Sequence, residues 1–361
     1  MTFMIPAAKP ILGDEERAAV DAVLASGALA QGPQVAAFEA EFSDVVGGRE
    51  CVAVNSGTSA LHLTLIALGI GAGDEVIVPS FTFAATANSV ALAGATPIFV
   101  DIEADSYCMS PEAARSAISP RTKAIMPVHL YGHPAAMDRL QPLAAECGLF
   151  VVEDAAQAHA ASLHGTAVGA FGDAGCFSFY PTKNMTSGEG GMVSTASSET
   201  ARMLRLLRNQ GMEIRYRNEV VGFNTRMTDI HAAIGRVQLG KLAGWTARRQ
   251  ANAAFLSANL KGVVTPSVAP GAVHVYHQYT IRVPGHDQQE FVAALAEHGV
   301  GSGVYYPTPV HALPSFGLVL DLPETAQAAR EVISLPVHPA LSGPDLERIV
   351  NAVNLVAAAG A

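Results

Sequence analysis

Short runs rich in Val, Ile and Phe recur through the first two thirds of this chain, and the stretches between them read as helices. The runs cover residues 51–54, 76–78, 96–100, 124–128, 150–152 and 176–179. Runs this apolar suit strands covered on both faces, which is the condition of a parallel sheet. Their alternation with helical stretches specifies βαβ units, and so a mostly parallel sheet with helices on both sides. Near Trp245 the pattern changes: a long helical segment at 229–249 leads into an extended run at 276–283, a helix at 288–298 and a further run at 300–306. With 361 residues, the chain is longer than one core usually serves. We therefore expect an α/β fold with a large domain over residues 1–245 and a smaller C-terminal α/β domain over 246–361. The sequence has no internal repeats and no low-complexity linker, which implies that the two are closely joined.

One lysine stands apart from the rest. The chain has only Lys9, Lys123, Lys183, Lys241 and Lys261, and all but Lys183 sit beside polar or turn residues that suit a solvated ammonium. Lys183 follows the aromatic run Phe177-Ser178-Phe179-Tyr180-Pro181 and precedes the glycine-rich 187–191. Desolvation by such neighbours disfavours the charged form and leaves an amine able to attack a carbonyl and form a Schiff base. The aldehyde of pyridoxal phosphate is the carbonyl that suits it. That cofactor acts as an electron sink while its ring nitrogen stays protonated beside a carboxylate. Residues 148–157 supply candidates, because an apolar strand ends there in Glu153-Asp154, at the carboxyl edge where ligands of open α/β sheets bind. Adjacent strand residues point to opposite faces, so only one of the two acids can meet the ring. A phosphate site is offered by 55–59, a small polar turn that opens a helix and presents Gly57 and Thr58 at its positive end. Read alone, that turn is also an ordinary N-cap.

Taken in order, these pieces resemble the sugar aminotransferases named after DegT, DnrJ, EryC1 and StrS, which have the type I fold of pyridoxal phosphate enzymes. The resemblance runs through 55–61, 73–83, 127–132, 153–159, 177–184, 222–227, 276–279 and 305–307. It implies that Lys183 holds the cofactor as a Schiff base and later acts as the base that moves the proton. It selects Asp154 over Glu153 as partner of the ring nitrogen. It also implies that Gln157 bonds the ring hydroxyl, that Gly57, Thr58 and Ser178 hold the phosphate, and that Phe83 lies against the ring. Asn224 would reach the phosphate of a neighbouring subunit, so the resemblance implies a homodimer with the site shared across its interface. Tyr306 and His311, in the Tyr-Pro-x-Pro-x-His segment, are candidates for the sugar side of the pocket.

The activity so implied is transfer of an amino group from L-glutamate to a ketone of a nucleotide-linked keto-deoxysugar. Residues 186–192 lean toward relatives that act at the 4-keto position, whereas Tyr180-Pro181 before Thr182-Lys183 keeps the 3-keto position open. Two other readings are a sugar dehydratase, against which Lys183 speaks because that branch carries histidine there, and a pyridoxal phosphate-binding regulator without turnover.

Composition sets outer limits on these expectations. The formal charge of −10 argues against nucleic acid, which demands a basic surface. The apolar stretch 89–100 is broken by Gly94 and Pro97 and falls short of the roughly 20 residues needed to span a bilayer. The N-terminus lacks the pattern of a signal peptide, and a cytoplasmic enzyme is expected. Cys51, Cys108, Cys147 and Cys176 are too dispersed for a zinc or redox motif and read as buried free thiols. His274 and His277 would face opposite ways in an extended run, so no metal site is expected from them.

Overall fold

The structure, a computed structural model, describes residues 4–359. Its main sheet contains β1 (Glu50–Val54), β2 (Glu75–Pro79), β3 (Thr96–Val100), β4 (Thr122–Ile125), β5 (Phe150–Asp154), β6 (Ala174–Ser178) and β7 (Gly191–Thr195). In space they run β1-β7-β6-β5-β4-β2-β3. Strands β2 to β6 pair in parallel, and β7 lies antiparallel to both β6 and β1. The α/β sheet expected from the sequence is thus present, with β7 as its one reversed strand.

Alternation along the strands feeds two layers of core. Val76 and Val78 join Val52, Val54, Val152 and Val193 on one face, under Leu61, Leu63 and Leu65 of α3 (Gly57–Ala67). Ile77, Ile125 and Val151 face the other way, toward Leu140 and Leu143. Such period-two partition is what a strand covered on both sides must do. A further core surrounds the antiparallel pair Tyr279–Arg282 and Val332–Leu335, packed by the C-terminal helix Gly343–Ala359. Ile5, Ala253 and Leu256 belong to this core as well. Residue 245 falls inside one unbroken helix, Asp229–Asn259, so the chain passes between cores through a helix. Residues 300–306 form no strand; they touch other segments through the isolated bridges Ile5↔Val300 and Gly303↔Ser334.

Side chains at that long helix tie the N-terminus to the sheet. Asp229, almost fully buried, accepts hydrogen bonds from the amides of Gly32 at 2.8 Å, Gln34 at 3.2 Å and Val35 at 3.0 Å, and so caps the helix Pro33–Ser43 from 195 or so positions away. A Cβ on residue 32 would lie 2.7 Å from the Asp229 carboxylate, which requires glycine there. Nearby, Glu16 on the helix Asp14–Ser26 accepts from Lys241 at 2.7 Å, Gln238 at 2.7 Å and the Gly13 amide at 2.8 Å. Lys241 is therefore paired, with Glu15 as well as Glu16, rather than freely solvated as its sequence surroundings imply. Of the cysteines, Cys51, Cys108 and Cys176 are buried free thiols as expected, but Cys147 is exposed because it ends a surface helix. No helix among the described residues is long and apolar enough to cross a membrane. The described residues contain no group of His, Cys, Asp or Glu that could hold a metal ion.

The Glu16 cluster yields a prediction for stability. Burial alone would raise the pKa of Glu16, but Lys241, the Gly13 amide and Gln238 outweigh it and bring the value from 4.5 down to about 2. A lowered carboxyl contributes stability above its unfolded pKa and loses it as pH falls toward the folded one. Glu16→Gln should cost about 2 kcal/mol at neutral pH, the scale of hydrogen bonds to a charged group. In denaturant titrations the gap from the parent should narrow as pH falls from 4.5 toward about 2; a gap constant with pH would contradict this role.

Candidate active site

The carboxyl ends of β5 and β6 and the start of α3 converge, and each contributes a polar group because its strand stops there. Asp154 is the last residue of β5 and Ser178 the last of β6. The chain then turns at 180–183, closed by the Lys183 amide donating to the Tyr180 carbonyl at 2.9 Å. Asp154 and Glu153 point to opposite faces, as alternation requires. Glu153 is fully buried and fully bonded, to His129 at 3.0 Å and to the amides of Gly169, Phe171 and Gly172 at 2.8 to 2.9 Å. It fixes the 169–172 loop and takes no part in the cleft.

Asp154 is only 5% exposed. Its Oδ2 accepts from the Thr86 hydroxyl at 2.8 Å and its Oδ1 from the Ala156 amide at 3.2 Å. Burial raises its pKa, while the hydrogen bonds from Thr86 and Ala156 and the charge of Lys183 oppose the rise. Across the cleft the Lys183 amine is pushed down from 10.5 to about 8 by burial, with Asp154 pulling the other way. The desolvating wall is only partly the one the sequence suggests. Phe177 and Phe179 are buried, but Tyr180 is 48% exposed, and two histidines complete the surroundings. His159 packs tilted against Phe177 and Phe179, with ring centroids 5.5 and 5.6 Å away. His159 and His277 are both held neutral, first by burial and then by the Lys183 charge.

The expected phosphate turn has the required shape. Ser56 caps α3 by accepting from the Ser59 amide at 3.1 Å, which leaves the Gly57 and Thr58 amides without helical partners. A Cβ on residue 57 would lie 2.7 Å from the Cβ of Ser178, so only glycine lets the turn approach β6. The Ser178 hydroxyl therefore faces the same space. Gln157 accepts from the Tyr131 amide at 2.8 Å and donates to the Tyr306 hydroxyl at 3.0 Å, which leaves one of its two amide hydrogens free. Tyr306 also meets Phe83, at 6.0 Å between ring centroids, and Phe83 is 58% exposed.

Two expected residues are less closely joined to this group. His311 is buried, with Nδ1 2.6 Å from the Ser80 hydroxyl and its ring 6.3 Å from that of Phe99, so it anchors the loop after Tyr306 to the end of β2. Of the two sugar-side candidates, Tyr306 is the one that reaches Gln157. Asn224 is exposed and its side chain has no hydrogen-bond partner among the described residues; its neighbour Thr225 accepts from the Asn55 amide at 2.8 Å. Sequence reasoning missed Thr86 and Thr82, whose hydroxyls are 2.9 Å apart behind Asp154. Their four-residue spacing was visible, yet nothing local tells such a pair from polar residues on any short helix.

The chain matches the DegT/DnrJ/EryC1/StrS aminotransferase family over residues 10–354. It is 43% identical to dTDP-3-amino-3,4,6-trideoxy-alpha-D-glucose transaminase of Streptomyces venezuelae, over 97% of this chain and 94% of that one. It is 42% identical to UDP-N-acetyl-3-dehydro-alpha-D-glucosamine 3-aminotransferase of Acidithiobacillus ferrooxidans, over 95% and 94%. Among solved structures it resembles S. venezuelae DesV in complex with a ketimine intermediate, with a TM-score of 0.93, 42% identity and coverage of 98% of this chain and 99% of that one.

The lowered amine gives a measurable consequence. In protein stripped of small molecules, Lys183 should react with an amine-directed reagent with a midpoint near pH 8, quantified by peptide mass spectrometry. Exposed lysines should titrate about two units higher, near the ordinary value. Asp154→Asn removes the charge that supports the ammonium, so it should move the Lys183 midpoint further down; an unchanged or raised midpoint would refute the coupling.

Proposed function

The chain belongs to the DegT/DnrJ/EryC1/StrS aminotransferase family, and on that footing we propose that it moves an amino group from L-glutamate to the 3-keto position of a nucleotide-linked deoxysugar. Aminotransferases of this family depend on pyridoxal phosphate, and pyridoxal phosphate and pyridoxamine phosphate forms occur among the structures the chain resembles. The residues present fit that cofactor. They supply a half-buried lysine whose amine has a pKa near 8, a buried carboxylate across from it and a helix start with two amides that have no partner among the described residues. A glutamine with one uncommitted hydrogen completes the set.

When bound, pyridoxal phosphate supplies an aldehyde and an electron-withdrawing ring through which an amino group can be taken from one substrate and given to another. The chain's own residues do the rest. Lys183 Nζ would hold the aldehyde and, when free, would take up and return a proton; a pKa near 8 suits both tasks because the amine and ammonium forms coexist close to neutral pH. Asp154 receives the ring N–H and keeps that proton in place. Gly57, Thr58 and Ser178 take the phosphate, Gln157 the ring hydroxyl, and Phe83 and Tyr306 the flank of the ring. A second copy of the chain closes the cleft and brings Asn224 to it. This reading is supported by the exposure of Phe83, Asn224, Tyr216 and Val221 in a single chain.

The choice of the 3-keto position departs from the lean toward the 4-keto position read from residues 186–192. What supports it is that, of two relatives above 40% identity and near full coverage, one is named for a 3-amino sugar and the other as a 3-aminotransferase of a 3-dehydro sugar. Residues 186–188 are in addition taken up with internal bonds: Thr186 donates to the Phe179 carbonyl at 2.8 Å, Ser187 to that of Glu189 at 2.6 Å, and the Gly188 amide to Thr186 at 2.9 Å. Amination of a panel of nucleotide-linked 3-keto and 4-keto sugars, with L-glutamate as donor, tests the assignment by mass spectrometry and product NMR. The 3-amino product should dominate, and Lys183→Ala should lower turnover by at least about a hundredfold, the lower range for a lost proton-transfer group. A 4-amino product would move the position. Cofactor binding with neither amination nor a spectral response to glutamate would favour a regulator.

A further inference from the structure

Behind Asp154 lies a chain of hydroxyls that the reaction as described does not use. Thr86, fully buried in the first turn of the helix Ala85–Leu92, donates its only hydroxyl proton to Asp154 Oδ2 at 2.8 Å. Its oxygen must then accept from Thr82, 2.9 Å away and also buried. The direction is fixed by counting protons, since a carboxylate can only accept. On the other oxygen the Ala156 amide stands at a longer 3.2 Å and leaves lone pairs open.

We propose that Thr86, backed by Thr82, is a positioning residue that holds Asp154 as a carboxylate and commits Oδ2 to the protein, so that Oδ1 is the oxygen presented to the cofactor's ring nitrogen. The proposal rests on the reading of Asp154 given above. The physical argument is one of competition. Burial works toward a neutral acid at position 154, and a neutral acid is no counter-ion for a protonated ring. The groups that face Asp154 are the Thr86 hydroxyl, the Ala156 amide, Lys183, His129, the Tyr306 phenol and the Cys176 thiol. Thr86 is the strongest of those that favour the charged form, ahead of the amide, the lysine and the histidine. A hydroxyl pair does this without adding a second charge to the cleft, and the Ser89 hydroxyl, bonded to the Thr86 carbonyl at 2.8 Å, steadies the turn that carries it.

Thr86→Val keeps the shape and removes the proton donor, and Thr86→Ser keeps the donor. Cofactor affinity is read by absorbance titration, and the Lys183 midpoint is read by labelling in protein stripped of small molecules. Thr86→Val should bind pyridoxal phosphate roughly tenfold more weakly, the scale of one hydrogen bond to a charged group. It should also move the Lys183 midpoint down, in the direction of Asp154→Asn but by less, because an Asp154 that takes up a proton more readily supports the ammonium less; His159 and His277, the other titratable neighbours of Lys183, are neutral throughout. Thr86→Ser should stay near the parent in both. In an Asp154→Asn background Thr86→Val should cost nothing more. A loss of the same size in that background would mean a folding defect and overturn the proposal, as would a Thr86→Val that binds and titrates like the parent while Asp154→Asn does not. If Asp154→Asn and Lys183→Ala also leave cofactor binding untouched, the reading of the whole site fails and the proposal with it.

Discussion

At the end of β5 a single peptide step separates two buried carboxylates and sends them to opposite sides of the sheet. Neither could be tolerated without partners, since an unpaired charge in a protein interior costs several kcal/mol. Glu153 collects a histidine and three amides, and in doing so pins the loop that carries the chain into β6. Asp154 collects fewer, a threonine hydroxyl and one long amide contact, with the charge of Lys183 nearby. The asymmetry separates scaffold from site: the saturated acid holds the frame, and the undersaturated one keeps capacity for a ligand. Removing either partner set would strand a charge, so the end of β5 fixes the neighbouring elements as much as they fix it.

Much of this was legible because it is local. Apolar runs bounded by helical stretches located β1 to β6, and adjacency in sequence was enough to set Glu153 against Asp154. The aromatic run before Lys183 correctly foretold a desolvated amine. It misplaced part of the cause, since Tyr180 turns outward and His159 and His277 take its share. What stayed hidden depends on partners far apart in the chain. Asp229 caps a helix nearly two hundred residues upstream, Lys241 meets Glu15 and Glu16, and His311 is claimed by Ser80. Local polarity is the same for a solvated lysine and for one destined to pair across the fold, so no reading of neighbours could separate them. The reversed strand β7 escaped because Gly191–Thr195 follows glycines that look only like a turn and ends in Ser and Thr rather than in apolar residues.

The cleft of a single chain is notably open on one side. Phe83 is more than half exposed, Asn224 has no partner among the described residues, and Ile214, Tyr216 and Val221 in and beside the hairpin before it are exposed too. Large apolar side chains left in water gain from being covered. On our reading a second copy supplies the cover.

Electrostatics around Lys183 show how such a site avoids defeating itself. A buried amine needs a depressed pKa to act as nucleophile, and the crude way to depress it is a neighbouring cation, which would also repel a protonated ring. Here the two histidines nearest the lysine are neutral, so they desolvate it without adding charge. Asp154 pulls in the opposite sense, and the result settles at about 8, between an exposed lysine and a wholly desolvated one. The balance works only while the carboxylate stays ionised in the same low-dielectric space that disfavours it. A neutral hydroxyl pair, Thr86 in the first turn of the helix Ala85–Leu92 and Thr82 in the loop before it, meets that need better than a charged residue could, because it stabilises the acid while leaving the field at the amine to the acid alone. Burial and Asp154 set the basicity of Lys183, and on our proposal a threonine that touches neither the lysine nor any substrate acts on it only through that acid.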